Sequence, residues 1–316
     1  MLMEKHHTQR PTKNNHVVPQ VYLKNFSLCS FSANPLVWQI GKDGDAKRLT
    51  VNQVCVRKKF YSQLTESHMS KNEEREIATT LKLIALDFWM PQFPYLQQFA
   101  QNSPKRPLFS HSRISFDRTI LSRFVENLAV RSPAYRERLQ NDVDNPASML
   151  YTLKNLSPVF NGMFRGTGQG VQEKILRGEP FKSELGRIIY FSDFTFSINF
   201  NADYAPFVTS DNPVIIRNLP EASFFTLISN STPPFFYLPL HPRLALRIDG
   251  FSKQAMETNV QGKTRSELLY ATDYEPILQL NADIYNQSQF LISNMYDAEY
   301  IGEIIDHANR RKKNSV

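Results

Sequence analysis

The sequence predicts an α+β protein, with a helical N-terminal half packed on a mainly antiparallel sheet from the C-terminal half. Three observations carry this. Apolar residues recur every three to four positions at Ile77, Leu81, Ile84 and Phe88, and again at Phe116, Ile120, Phe124 and Leu128; each set makes one stripe along a helix. From residue 194 the period changes. Phe194, Phe196, Ile198 and Phe200 alternate with Thr195, Ser197 and Asn199, so successive side chains face opposite sides of a strand. The later apolar runs come as strand–turn–strand pairs, the local pattern of antiparallel ladders.

The elements follow in order. The first 15 residues are polar and basic. At His16 the character changes: Val18, Val21, Tyr22 and Phe26 take helical spacing after Pro19, a residue suited to a first helical turn. Leu36–Ile40 and Arg48–Val51 flank Gly41-Lys42-Asp43-Gly44-Asp45 and read as a hairpin. Ser70 and Glu73 have capping-box spacing ahead of the stripe that ends at Phe88, and Pro91 and Pro94 stop that helix. A second helix is predicted from about Phe116 to Val130, stopping before Arg131-Ser132-Pro133, and shorter ones near 146–156 and 170–177. Strands are predicted at 194–200, 207–209, 214–216, 235–240 and 244–248, with pairing between 207–209 and 235–240. A helix over 276–287, a strand over 290–292 and a helix from about 297 to 308 close the chain.

Composition narrows the class. A chain of 316 residues, 41% hydrophobic and 12% aromatic, can bury a sizeable core. Its 19 prolines are scattered and no Gly/Ser/Pro-rich linker divides it. The expected organisation is a flexible basic arm (1–15), one α+β domain (16–309) and a basic tail (310–316). The net charge of +7, from 37 basic and 30 acidic residues, is modest; nucleic-acid binders concentrate positive charge, because each neutralised phosphate releases counterions. The densest run, Arg310-Arg311-Lys312-Lys313, reads as a solvated tail. A second cluster, Arg57-Lys58-Lys59, abuts Phe60-Tyr61. Cys29 and Cys55 are the only cysteines, too few and too far apart for a disulfide scaffold or a structural zinc site. The first residues lack the apolar core of a signal peptide, and no run reaches the ~18 apolar residues of a membrane span. The expectation is a cytoplasmic protein with no membrane partner.

No Walker loop, GxGxxG, GxSxG or HExxH motif is present, so candidate chemistry rests on polar residues set in apolar surroundings. His16, with Gln20 four residues on, offers an acid/base near neutrality; the alternative is a cap or a backbone bond. Asp211 in Thr209-Ser210-Asp211-Asn212-Pro213 can orient an imidazole or hold a divalent cation, whereas Asx-turn chemistry needs no substrate. Arg131 can fork onto a phosphate or carboxylate, or complement a helix C-terminus. His6, His7 and His16 can in principle collect a metal, and His241 reads as structural.

The stretch His16-Val17-Val18-Pro19-Gln20-Val21-Tyr22-Leu23-Lys24-Asn25-Phe26 resembles the opening signature, His-x-Val-Pro-Gln-x-Tyr-Leu-x-x-Phe, of a widespread bacterial family of unknown function. Phe60-Tyr61, Arg131-Ser132-Pro133, Phe207 through Val214, Leu238-Pro239-Leu240 and Asn281 are similar to later pieces of its pattern, in the same order. Ser132 stands where the family more often has Thr, which keeps the hydroxyl. The resemblance implies a fold and a set of residues, and no activity.

From the residues, the functional expectation is a hydrolase of a phosphate-containing substrate, nucleic acid being the leading class and hence a nuclease. His16 would be the acid/base, Asp211 its orienter or a ligand to a divalent metal, and Arg131 the anion clamp, with Gln20, Ser210 and Asn212 binding substrate. The rival is a non-catalytic module that binds a ligand or partner, and a component of a bacterial defence system fits either.

Overall fold

The computed structural model describes residues 14–28, 32–58, 60, 109–110, 118–146, 172, 189–190, 192–217, 235–250 and 267–313. The helix expected over 70–88 lies outside them, as do those near 146–156 and 170–177 apart from residue 146, a turn, and residue 172, which is helical. The α+β class holds.

Strand β1 (Asn14–His16) leads through Pro19 into α1 (Gln20–Leu23) and a 3-10 turn, Lys24–Phe26. Tyr22, Leu23 and Phe26 of this segment are fully buried. Strands β2 (Leu36–Ile40) and β3 (Ala46–Thr50) form the expected hairpin, and β4 (Val56–Lys58) follows. After β5 (Phe109–Ser110), α2 spans Arg118–Arg131 and buries Phe124 and Leu128. Helix α3 (Pro133–Asp144) starts at once. Its signal is legible in hindsight: Ser132 caps it by accepting from the Tyr135 amide at 3.2 Å, and Pro133 occupies the first helical position.

The remaining strands are β6 (Asp193–Ile198), β7 (Thr209–Ser210), β8 (Ile215–Arg217), β9 (Phe235–His241), β10 (Leu244–Asp249), β11 (Glu267–Ala271) and β12 (Leu291–Ser293). Helix α4 (Tyr274–Gln287) precedes β12 and α5 (Ala298–Lys313) follows it. They make a two-stranded ladder, β1–β4; a six-stranded sheet in the order β5-β11-β6-β10-β9-β8; and a four-stranded sheet in the order β3-β2-β12-β7. Only the β11–β6 pair is parallel.

The two-residue period of the sheet sorts side chains into two cores. Leu244, Leu246 and Ile248 of β10 join Phe194, Phe196 and Ile198 of β6 against α1 and α2. Ala245, on the other face of β10, joins Phe207, Ile215 and Leu291 against α4 and α5.

Three expectations are corrected. Residues 207–209 do not pair with 235–240: β7 pairs with β12 and β8 with β9. The turn at Ser210–Pro213 therefore carries the chain from the four-stranded sheet into the six-stranded one, because the Asn212 amide bonds the Ser210 hydroxyl (3.0 Å) and Pro213 has no amide to extend a ladder. The basic tail is not a loose run from residue 310, since α5 continues through Lys313. Four cations suit the negative end of a helix dipole, and Arg311 pairs with Asp283 of α4 at 2.7 Å. The N-terminal arm is ordered before residue 16, with Asn14 and Asn15 in register opposite Lys58 and Arg57.

Tyr22 joins the layers. Its hydroxyl donates to the Pro239 carbonyl (2.7 Å) and lies 2.7 Å from the Thr209 hydroxyl. A phenol has one proton, so Thr209 donates in turn to the Tyr22 oxygen. One side chain thus bonds β9 of the six-stranded sheet and β7 of the four-stranded sheet. Pro239 sits where the β9–β10 register shifts, which frees its carbonyl for this bond.

Tyr22→Phe keeps the packing volume and leaves a hydroxyl and a carbonyl unsatisfied in the core. It is expected to lower unfolding free energy by about 1–3 kcal/mol in a denaturant titration. An unchanged midpoint would show that the phenol bonds carry no weight.

Candidate functional site

Strand β1 ends at His16, opposite Val56 of β4, and the Val17 amide prolongs the ladder by donating to the Cys55 carbonyl at 2.9 Å. The half-buried His16 ring meets Gln20 one helical turn on: Gln20 Nε2 lies 3.1 Å from His16 Nε2. An amide nitrogen only donates, so this ring nitrogen accepts and is unprotonated. Burial lowers the His16 pKa; a bond to the Asn52 backbone opposes the shift, and the charge of Arg131 reinforces it. The imidazole is therefore neutral at pH 7.

Arg131 comes from the last turn of α2 and is buried. Its Nη2 donates to the His16 carbonyl at 3.0 Å and its Nη1 to Asn127 Oδ1 at 3.4 Å. The structure thus brings together three of the expected site residues, His16, Gln20 and Arg131. Arg131 reaches the backbone of His16 from within the protein.

The other three, Ser210, Asp211 and Asn212, form the buried turn between β7 and β8. Ser210 accepts from the Asn212 amide. Asn212 Nδ2 donates to the Gln287 carbonyl (3.2 Å), and Gln287 Nε2 returns bonds to the carbonyls of Asn212 and Val214. Asp211 Oδ1 accepts from the Gln289 amide at 2.9 Å, and its Oδ2 faces Arg57 Nη2 at 3.3 Å. Burial pushes the Asp211 pKa up, while the Gln289 amide and the Arg57 charge pull it back. The carboxylate expected to orient His16 is instead partnered by Arg57, and the ring takes its bond from Gln20.

Arg57 connects the two groups. It stands on β4 opposite Asn15, one position along the ladder from the His16–Val56 pair. Its Nη2 bonds both Asp211 and Gln289 Oε1, the latter at 2.8 Å. About a third of its side chain, 32%, faces solvent. Past the end of β4, Arg136 of α3 donates to the Phe60 carbonyl (2.6 Å) with its guanidinium 3.5 Å from the centre of the Phe60 ring. The β1–β4 ladder is therefore gripped from α2 and α3 by Arg131 and Arg136, and tied to the 210–212 turn by its own Arg57.

Sequence reasoning missed Arg57, Tyr22 and Gln289. The basic cluster next to Phe60-Tyr61 was the available signal for Arg57, since a guanidinium beside an aromatic residue suits partly buried pairing. Cys55, just before β4, is buried and has φ of 56°, the one left-handed non-glycine residue among those described. Backbone strain of this kind gathers where surrounding structure fixes a site. Burial holds its thiol pKa well up, and it is not a thiolate. Among the described residues no three of His, Cys, Asp and Glu cluster to hold a metal ion; His6 and His7 lie outside them. No described helix is long and apolar enough to cross a membrane.

The family model described as protein of unknown function (DUF4238) matches residues 14–301. No curated protein and no solved structure gives a significant match.

The Arg57–Asp211 pair yields a cycle of variants. Arg57→Ala leaves a buried carboxylate with only the Gln289 amide, and is expected to cost about 1–3 kcal/mol. Asp211→Asn keeps an oxygen for Gln289 and removes the charge. Combined with Arg57→Ala, it should cost less than the sum of the two, a coupling of about 1 kcal/mol in chemical denaturation. Strict additivity would show that the pair is not coupled.

Proposed function

The chain belongs to the DUF4238 family of proteins of unknown function, and from that premise we propose that it is a hydrolase of a phosphate-containing substrate, nucleic acid being the substrate class, with neutral His16 as the acid/base. The observation that carries this reading is a half-buried imidazole kept unprotonated by burial beside Arg131 and one ladder position from Arg57. A base needs a free proton acceptor at neutral pH, and an ester phosphate needs fixed positive charge around it.

In this reading Gln20 holds the ring nitrogen until the attacking water takes its place, and His16 then accepts the proton of that water. Arg131 contributes charge from within. Arg57, partly open to solvent, makes the contact with the phosphate. Asp211 is a positioning residue that acts through Arg57, supported by Ser210 and Asn212. Asp211 has a single acidic oxygen pair already engaged by protein donors, so a divalent metal would need ligands from the substrate and water.

One observation favours a second reading, a non-catalytic ligand-binding module. Ser210, both oxygens of Asp211 and the side-chain amide of Asn212 all bond protein groups, as turn chemistry alone requires.

Cleavage of DNA and RNA by the purified protein, with and without divalent metal, separates the two. His16→Ala is expected to lose about a hundredfold or more in rate, with unfolding free energy within about 0.5 kcal/mol of the parent. Because the active form of a base is neutral and the His16 pKa is lowered, the rate should stay level as pH falls through 6.5 and decline only below it. A parent that cleaves nothing under any metal condition, or a His16→Ala variant as fast as the parent, retires the hydrolase.

A further inference from the structure

The basic run at the end of α5 is not absorbed by the reading above, and the fold gives it company. Asp283 of α4 takes two guanidiniums on the same oxygen: Arg217, at the end of β8, at 2.6 Å and Arg311 at 2.7 Å. Beside them Lys42, in the turn of the β2–β3 hairpin, sets its ammonium 3.7 Å from the centre of the Tyr285 ring, and the Tyr285 hydroxyl donates to the Lys42 carbonyl. Burial and the neighbouring charge of Lys312 push the Lys42 pKa down to about 8. Four cations (Lys42, Arg217, Arg311, Lys312) thus face two carboxylates, Asp283 and the Asp43 that acts on Tyr285. The charge there is under-neutralised.

The same hairpin and helix segment carry an aromatic pair. Trp38 of β2 stacks on Tyr296, just ahead of α5, with ring centroids 5.5 Å apart; Tyr296 is exposed, and exposed Arg48 stands opposite Trp38 in the ladder. Cations spread over several elements suit successive phosphates better than one captured anion. An exposed aromatic beside them suits stacking of an unpaired base, which a duplex does not offer.

We propose that the surface formed by the β2–β3 hairpin, Arg217 and the last turns of α5 binds the phosphate backbone of a single-stranded nucleic acid, with Lys42, Lys312, Arg217 and Arg311 on phosphates and Tyr296 as a stacking platform. The choice of nucleic acid rests on the hydrolase reading; the surface itself is built from residues that reading does not use.

The test is fluorescence-anisotropy titration of the full chain with a labelled single-stranded oligonucleotide across a salt series, without divalent metal. The double variant Lys42→Gln, Lys312→Gln leaves both Asp283 ion pairs in place. It should bind more weakly, with a salt slope shallower by about two, one for each lost phosphate contact. Lys42→Arg with Lys312→Arg should restore the slope. An unchanged slope in the glutamine variant, no binding by the parent, or tighter binding to a duplex or to vesicles of anionic phospholipid overturns the proposal. Binding and cleavage are read separately. Cleavage with a lysine-independent slope sinks the surface and spares His16, while lysine-dependent binding by a parent that cleaves nothing keeps the surface and sinks the hydrolase.

Discussion

A buried carboxylate must be compensated, and the way Asp211 meets that demand organises the neighbourhood of the candidate site. Its charge is expensive inside the protein unless a cation and hydrogen-bond donors are brought to it. The donors come from the Gln289 amide and from Arg57. Arg57 lies on a two-stranded ladder that would be marginal by itself, and the pair fixes that ladder against the turn where the chain passes between sheets. On the opposite side Arg131 and Arg136 hold the carbonyls of His16 and Phe60. His16 inherits its place from this arrangement: its ring is set by Gln20, and its backbone by the ladder and Arg131.

The opening motif divides its labour accordingly. Tyr22 spends its hydroxyl on bonds to both sheets, and Asn25 donates to the Leu240 carbonyl. Pro19 starts the helix, and Leu23 and Phe26 fill the core. Within the segment, His16 and Gln20 are the polar groups left half-buried with chemistry to spare. The later motif is more completely committed to architecture, because its Ser, Asp and Asn side chains answer one another and the segment that ends α4. A similar division holds at Asn281, buried between the Val208 amide, the Pro206 carbonyl and Tyr300.

Local pattern carried much of the fold. The alternation of Phe194, Phe196 and Ile198 gave β6, and the Gly/Asp loop gave the β2–β3 hairpin. Apolar stripes placed α2, α4 and α5 within a few residues. What local pattern could not carry was partnership. Residues 207–209 read as a strand from their own composition, yet their pairing with β12 depends on some 80 residues of intervening chain, and nothing in a two-residue period names a partner. The end of α5 was misplaced for a related reason: a run of four cations looks solvated until a helix dipole and Asp283 stand beside it. At the site, residue types pointed to His16, Gln20 and Arg131, which the fold brings together. Arg57 was hidden because its role comes only from sitting opposite Asn15 and within reach of Asp211.

The central claim is that His16 and Asp211 do different work, the ring offering chemistry and the carboxylate holding Arg57 in place. Proton NMR titration of the His16 imidazole in the parent and in Asp211→Asn tests it most directly. The account predicts a parent pKa below 6.5 that moves little in the variant. A parent value above 6.5 that falls by about one unit or more on loss of the carboxylate, as for an imidazole paired with an acid, would contradict it.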